Sequence, residues 1–266
     1  MSQRETTVTL SRTDIEKWAR PLRPKPGARV RLYVLPFAGG GVAAFQAWPA
    51  GLGAEVEVCP VRLPGRESRF GEPCMVSMEP LADTVAQVVS HESSRPGALP
   101  FAIFGHSLGA VVAYEVTRRL SSAVTRSMRK LIVGGRQAPF QPSRYPAVHH
   151  LPDDELVRTM NERYNAIPQA VLDEPELLQL VLPVLRGDMQ VIETYRYGEG
   201  PKLDVDLVAL GGRDDTGVPQ SSLDAWGELT TGRFESHMLD GGHFFIQSHG
   251  AQVFPLVRRA LGLMPA

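Results

Sequence analysis

The stretch Leu99–Leu120, LPFAIFGHSLGAVVAYEVTRRL, decides how this chain is read. Its opening is an apolar run between Pro100 and Gly105, and Val111, Val112, Tyr114 and Val116 then recur at helical spacing, so the order is strand, turn, helix. The turn, Gly105-His106-Ser107-Leu108-Gly109, fits G-x-S-x-G. In that pattern the two glycines let strand and helix approach closely enough for the serine to occupy a strained corner, its hydroxyl raised above the sheet. A nucleophile elbow at Ser107 is expected.

Working outward, Val30–Leu35 is a short strand stopped by Pro36, and Phe37-Ala38-Gly39-Gly40-Gly41 follows as a flexible loop able to bring backbone amides near a ligand. A second strand covers Glu55–Pro60, a basic turn-rich loop carries Arg62, Arg66 and Arg69, and a helix covers Met78–Ser94. Beyond the elbow helix come a strand at Arg129–Val133 and a wholly helical stretch at 146–197, with a kink at Pro183 and an apolar stripe through Leu177, Leu178, Val181, Leu182, Leu185 and Met189. Strands return at Val205–Leu210 and Phe234–Leu239. Strands alternating with helices define an α/β class with a mostly parallel sheet flanked by helices, and the block at 146–197 reads as a helical lid inserted over one end of it. Residues 1–28, interrupted by Pro21, Pro24 and Pro26, are expected to form an extended lead-in anchored by Trp18, and 29–266 a single domain.

The 266 residues carry a formal net charge of −1 with interspersed signs, which leaves no footprint for nucleic acid or an anionic membrane. Two cysteines, Cys59 and Cys74, are too few for a disulfide framework or a zinc site. No secretory leader and no membrane-spanning run is evident. A cytoplasmic monomer is expected.

A serine hydroxyl needs a base to take its proton and an acid to orient that base. After an elbow these partners follow in the order Asp or Glu, then His, each at the end of a later strand. His243, in Gly241-Gly242-His243, is the histidine so placed; His106 reads as a packing neighbour inside the elbow. Asp214 and Asp215 both sit in the turn after Val205–Leu210, and Asp215 is preferred because Val218, three residues on, opens the next helix. An oxyanion hole requires two backbone amides; Leu108, opening the elbow helix, and Ala38, beside the glycine run, are the candidates. No phosphate-cradling glycine motif is present.

With these residues in place, the chain resembles type II thioesterases, the stand-alone editing enzymes that accompany modular polyketide synthases and nonribosomal peptide synthetases within the α/β-hydrolase superfamily. The resemblance spans nearly everything after the lead-in. It rests on Pro36-Phe37-Ala38-Gly39-Gly40, Leu63-Pro64-Gly65-Arg66-Glu67 with Glu72-Pro73, the elbow, Gly211-Gly212-Arg213-Asp214-Asp215, and Gly241-Gly242-His243-Phe244-Phe245. Two departures stand out: Leu108 where family members often carry Met, and Thr216 where Pro often follows the acid. The resemblance implies hydrolysis of acyl groups from the phosphopantetheine arm of acyl or peptidyl carrier proteins, through catalytic Ser107, Asp215 and His243, with no metal or soluble cofactor. It also implies that the helical block limits acyl size. The basic loop could meet an acidic carrier or simply be solvated. A carboxylester hydrolase would use the same three residues, although Phe37-Ala38-Gly39-Gly40 differs from the HGGG loop of such enzymes. A non-catalytic binding protein on a hydrolase scaffold is the remaining alternative.

Overall fold

A computed structural model describes residues 10–264. Six strands, β1 (Val30–Leu35), β2 (Val56–Pro60), β3 (Phe101–His106), β4 (Met128–Gly134), β5 (Leu207–Gly212) and β6 (Phe234–Leu239), form one sheet in the order β2-β1-β3-β4-β5-β6. Every pairing is parallel. The order reverses direction between β1 and β3, and the carboxyl ends of strands around such a switch point are where open α/β sheets bind ligands.

Because side chains alternate across a strand, each strand feeds two cores. Tyr33, Leu35, Ile103, Leu131, Val133 and Ala209 lie on the face covered by helices Met78–Ser93 and Leu108–Arg119. Leu32, Val34, Phe104, Ile132, Val208 and Leu210 lie on the other, packed with Phe45, Trp48, Val253 and Val257. β3 is buried along its whole length, which is why its sequence is a continuous apolar run rather than an alternating one.

The expected extended lead-in is corrected over part of its length. Arg12–Trp18 is a helix, started by a capping box in which Ser11 and Asp14 each satisfy the other's backbone amide, and it buries Ile15 and Trp18. The three prolines that suggested an extended chain all lie after it. Residues 1–9 of that lead-in lie outside the described residues. Trp18 is an anchor as expected: its carbonyl accepts from the Arg62 amide at 2.7 Å and the Arg69 guanidinium lies 4.2 Å above its ring.

The block between β4 and β5 is helical at Asp153–Tyr164, Gln169–Leu172 and Pro175–Thr194, not throughout 146–197. Pro146, Pro152, Pro168 and Pro175 separate these pieces, each lacking an amide donor and fixing its own φ. The longest helix continues through Pro183, which is exposed. Its apolar stripe divides: Leu182, Leu185 and Met189 are buried, whereas Leu177 is exposed.

The basic loop is corrected as well. Arg66 and Arg69 are both buried rather than presented to solvent or a partner. Arg69 pairs with Glu72. Arg66 makes a two-pronged pair with Asp188 of the long inserted helix, at 2.6 and 2.7 Å, and donates to the Gly40 carbonyl at 2.8 Å. Asp188 also accepts from the Gly39 amide at 2.8 Å. The glycine loop is therefore a clamped segment, not a flexible one. Cys59 and Cys74 are unpaired, and no helix among the described residues is long and apolar enough to cross a membrane.

Removing one partner of a buried ion pair leaves an uncompensated charge, so Asp188→Ala should lower unfolding stability by about 3–5 kcal/mol, measured by chemical denaturation.

Candidate active site

Ser107 sits between β3 and the helix Leu108–Arg119 with φ 55° and ψ −113°, a backbone conformation that costs an L-residue of order 1–3 kcal/mol. The neighbouring glycines make the corner possible. A Cβ at Gly105 would stand 1.9 Å from the Gly109 carbonyl oxygen, and one at Gly109 would stand 2.3 Å from that of Leu35. The Ser107 amide donates to Gly134 O of β4 at 2.8 Å, which fixes the corner to the sheet.

The turns after β5 and β6 meet in the same way. A Cβ at Gly212 would lie 2.4 Å from Gly241 O and 2.5 Å from Gly242 O, so only a glycine allows the two turns to lie against each other. The Asp214 amide then donates to Gly241 O at 3.0 Å. In this arrangement Asp215 Oδ2 is 2.7 Å from His243 Nδ1, and Asp215 Oδ1 accepts from the Gly217 amide at 3.1 Å. Asp215 is buried, whereas Asp214 is exposed. Between the two neighbours, only Asp215 reaches the imidazole.

His243 must also reach back across β4 and β5 to the elbow, and Gly134 and Gly135 leave the room. Cβ atoms there would stand 2.9 and 2.5 Å from the His106 ring. His106 Nε2–H donates to the His243 carbonyl at 2.7 Å, and His243 Nε2 lies 3.0 Å from Ser107 Oγ. Burial holds His106 well below the usual imidazole pKa, helped by the nearby His243, so it is a neutral donor. His106 is thus more than packing: it carries the backbone of the residue that contacts the serine. The adjacency of His106 to Ser107 was visible in the sequence, but a contact across 137 positions was not.

Ala38, Leu108, Ser107 and His243 line one small cleft of about 30 Å³, together with Arg136 and Tyr164. Among the described residues no backbone acceptor takes the Ala38 or Leu108 amide. The Tyr164 ring, at the end of an inserted helix, lies 4.6 Å from the His243 ring. A cavity of about 410 Å³ adjoins the cleft past Phe37 and Ala166, and a second of about 370 Å³ adjoins it past Arg136 and Met189. A larger cavity of about 640 Å³, walled by charged groups such as Lys17 and Arg62, contains neither Ser107 nor His243 and is not part of this site. No cluster of His, Cys, Asp or Glu suited to a metal ion occurs among the described residues. Arg136 and Tyr164 escaped the sequence reading, which looked for titratable groups in glycine-rich turns; Arg136 is in fact the residue after Gly134-Gly135.

A serine on a strained elbow, within hydrogen-bond reach of an imidazole that a buried carboxylate orients, at the carboxyl edge of a parallel sheet, defines a serine hydrolase of the α/β type. Comparison with known proteins narrows the class: residues 30–261 match the thioesterase domain family, and the chain belongs to it. It is similar to the gramicidin S biosynthesis protein GrsT of Aneurinibacillus migulanus, 32% identical over 96% of this chain and 97% of that one. It is similar also to the thioesterase PikA5 of Streptomyces venezuelae, 37% identical over 89% and 82% of the two chains. Among solved structures, the type II thioesterase BorB of the borrelidin biosynthetic cluster superposes with a TM-score of 0.79 at 34% identity, covering 92% of this chain and 97% of that one.

Replacing His106 by Phe preserves a ring but strands the His243 carbonyl, at a cost of about 1–3 kcal/mol. His106→Phe should therefore lower kcat while leaving KM close to the parent value, read from steady-state thioester hydrolysis.

Proposed function

We propose that this chain is a stand-alone editing thioesterase that frees stalled or wrong acyl groups from the phosphopantetheine arm of acyl or peptidyl carrier proteins in a polyketide or nonribosomal peptide synthase. The hydrogen-bonded series Ser107–His243–Asp215 carries the reading, with its spacings of 3.0 and 2.7 Å. Membership of the thioesterase family and similarity to the thioesterase PikA5 and to the type II thioesterase BorB of the borrelidin biosynthetic cluster support it.

In this reading the Ser107 oxygen attacks the thioester carbonyl as His243 Nε2 takes its proton. Asp215 holds the imidazole in the tautomer with hydrogen on Nδ1 and stabilises the imidazolium that forms. The Ala38 and Leu108 amides receive the negative charge developing on the carbonyl oxygen. When the tetrahedral intermediate collapses, the carbon–sulfur bond breaks, the arm's thiol leaves with the proton held by His243, and the acyl group remains on Ser107. Water, deprotonated by the same imidazole, then releases the free acid and restores the serine. No step asks for a metal or soluble cofactor, since the activated bond arrives on the carrier.

We take residues 29–266 as one catalytic domain and 146–197 as its lid, with Tyr164 and Met189 forming the roof over the cleft. Burial of the imidazole beneath that roof excludes bulk water during acylation.

Hydrolysis of a panel of short acyl groups on a carrier protein, run beside the same groups as plain esters, tests the assignment. Carrier-borne thioesters should be the better substrates by kcat/KM; a preference for the esters would overturn it. Ser107→Ala should reduce turnover to background with the fold intact by circular dichroism. Asp215→Asn should reduce kcat by about 10⁴-fold, because it favours the wrong imidazole tautomer.

A further inference from the structure

Two side chains of the inserted helix Pro175–Thr194 reach the loop that carries the Ala38 amide. Asp188 is buried, and its Oδ2 accepts from the Gly39 amide at 2.8 Å. Leu185, one turn earlier, packs on the same glycine, since a Cβ at Gly39 would stand 3.4 Å from Leu185 Cδ1. Arg66 completes the contact, holding Asp188 with both prongs of its guanidinium and donating to Gly40 O at 2.8 Å. Replacing a buried ion pair by apolar packing is often neutral or stabilising, so stability alone gives no reason for one here.

The local geometry shows what the carboxylate controls. The Gly40 amide donates to Phe37 O at 2.9 Å, closing a tight turn with Gly39, at φ 76°, in its third place, as a type II turn requires. The peptide joining Ala38 to Gly39 is the one that turns over between type I and type II geometry, and Asp188 holds it by its N–H. On the other side of Ala38, the Phe37 ring packs on that of Phe244, with centroids 4.7 Å apart. The Ala38 amide therefore lies between a residue seated on the histidine turn and a residue seated on the inserted helix.

We propose that Asp188 is a positioning residue that couples the seating of the inserted helix to the orientation of the Ala38 amide, so that the oxyanion hole is complete only while this helix lies against the glycine loop. This rests on the reading above of Ala38 as an oxyanion donor. Met189, the next residue, lines the cleft at Ser107, and Leu185 lines the adjoining cavity of about 410 Å³. A helix displaced to admit a substrate therefore withdraws the acceptor from Gly39. An acyl group that lets the helix settle receives two amides on its developing oxyanion; one that props the helix open receives that of Leu108 alone. A lost oxyanion donor lowers kcat by about 10²–10³-fold, so this coupling discriminates between acyl groups in the chemical step.

The test uses a trifluoromethyl ketone thioether beside the corresponding alcohol. Ser107 Oγ bonds to the ketone carbon, its proton passes to His243, and the carbonyl electron pair moves onto the oxygen, which takes the oxyanion position; the alcohol fills the same cleft without one. Asp188→Asn, which keeps the side chain's size, should lower kcat for thioester hydrolysis at least about tenfold with KM within about twofold, and raise the ketone Ki at least about tenfold. The alcohol Ki and the acid limb of the kcat/KM pH profile should stay at the parent values. Arg66→Lys should act in the same direction and less strongly, since it keeps the charge but not the fork. A folded Asp188→Asn with the parent's ketone Ki overturns the proposal whatever its stability, and so does a displaced pH limb, which would put the effect on the imidazole. Should neither variant fold, the parent protein decides. Coupling is reciprocal, so the ketone adduct should slow amide hydrogen exchange across Pro175–Thr194 at least about threefold relative to the alcohol, and equal exchange overturns the assignment. The ketone captures a reactive serine in an ester hydrolase as readily as in a thioesterase, so a failed carrier-protein preference leaves this test standing. A parent protein that the ketone does not inhibit overturns the serine reading and the coupling together.

Discussion

The close contact of two glycine backbones, Gly105 and Gly109, with the carbonyls around them is the constraint from which the rest of this site follows. It lets β3 turn into the next helix within a single residue, and Ser107 bears the resulting positive φ. The same contact lays the helix start against the end of β1, where Leu35 leads into Ala38. One backbone feature therefore raises the hydroxyl, frees the Leu108 amide at a helix start, and brings the Ala38 segment into the same cleft. The cost of the strained corner is met by the sheet on both sides of it, which over-determines its position.

Around that corner, buried polar groups serve as locators. Arg66 and Asp188 join three segments distant in sequence: the glycine loop, the loop after β2, and the long inserted helix. His106 does the same for the turn after β6, its neutral ring carrying the His243 carbonyl. Buried pairs of this kind often add little net stability compared with apolar packing, and they are best understood as devices that specify one geometry. Arg136 departs from that pattern. Its backbone is positioned as firmly as the others, but among the described residues its buried Nε has no partner.

Much of this architecture was legible before any coordinates. The β3 run, the elbow and the glycine-rich corners announce themselves because each depends on a local rule: a fully buried strand is continuously apolar, and a backbone that must pass within van der Waals distance of another has to be glycine there. The errors came where local rules compete. Prolines at 21, 24 and 26 drew attention from Ser11 and Asp14, whose three-residue spacing was the signal of a helix start. The run Arg62, Arg66 and Arg69 looked like a solvated or docking surface because charge in a turn-rich loop usually is one, and only the arrival of Asp188 from 122 positions away makes Arg66 an interior residue.

By itself the sequence determined the fold class and the family resemblance, and it singled out Ser107 and His243 as candidates, since these are written in patterns of a few adjacent residues. For the acid it preferred Asp215 over its neighbour Asp214. Tertiary structure brings only Asp215 to the imidazole, because the contact of the β5 and β6 turns at Gly212 points that carboxylate at His243 and leaves Asp214 in solvent. It also decided which arginines are buried and what holds His243 in place. Each of those depends on a distance between residues that are far apart along the chain, and no local pattern encodes such a distance.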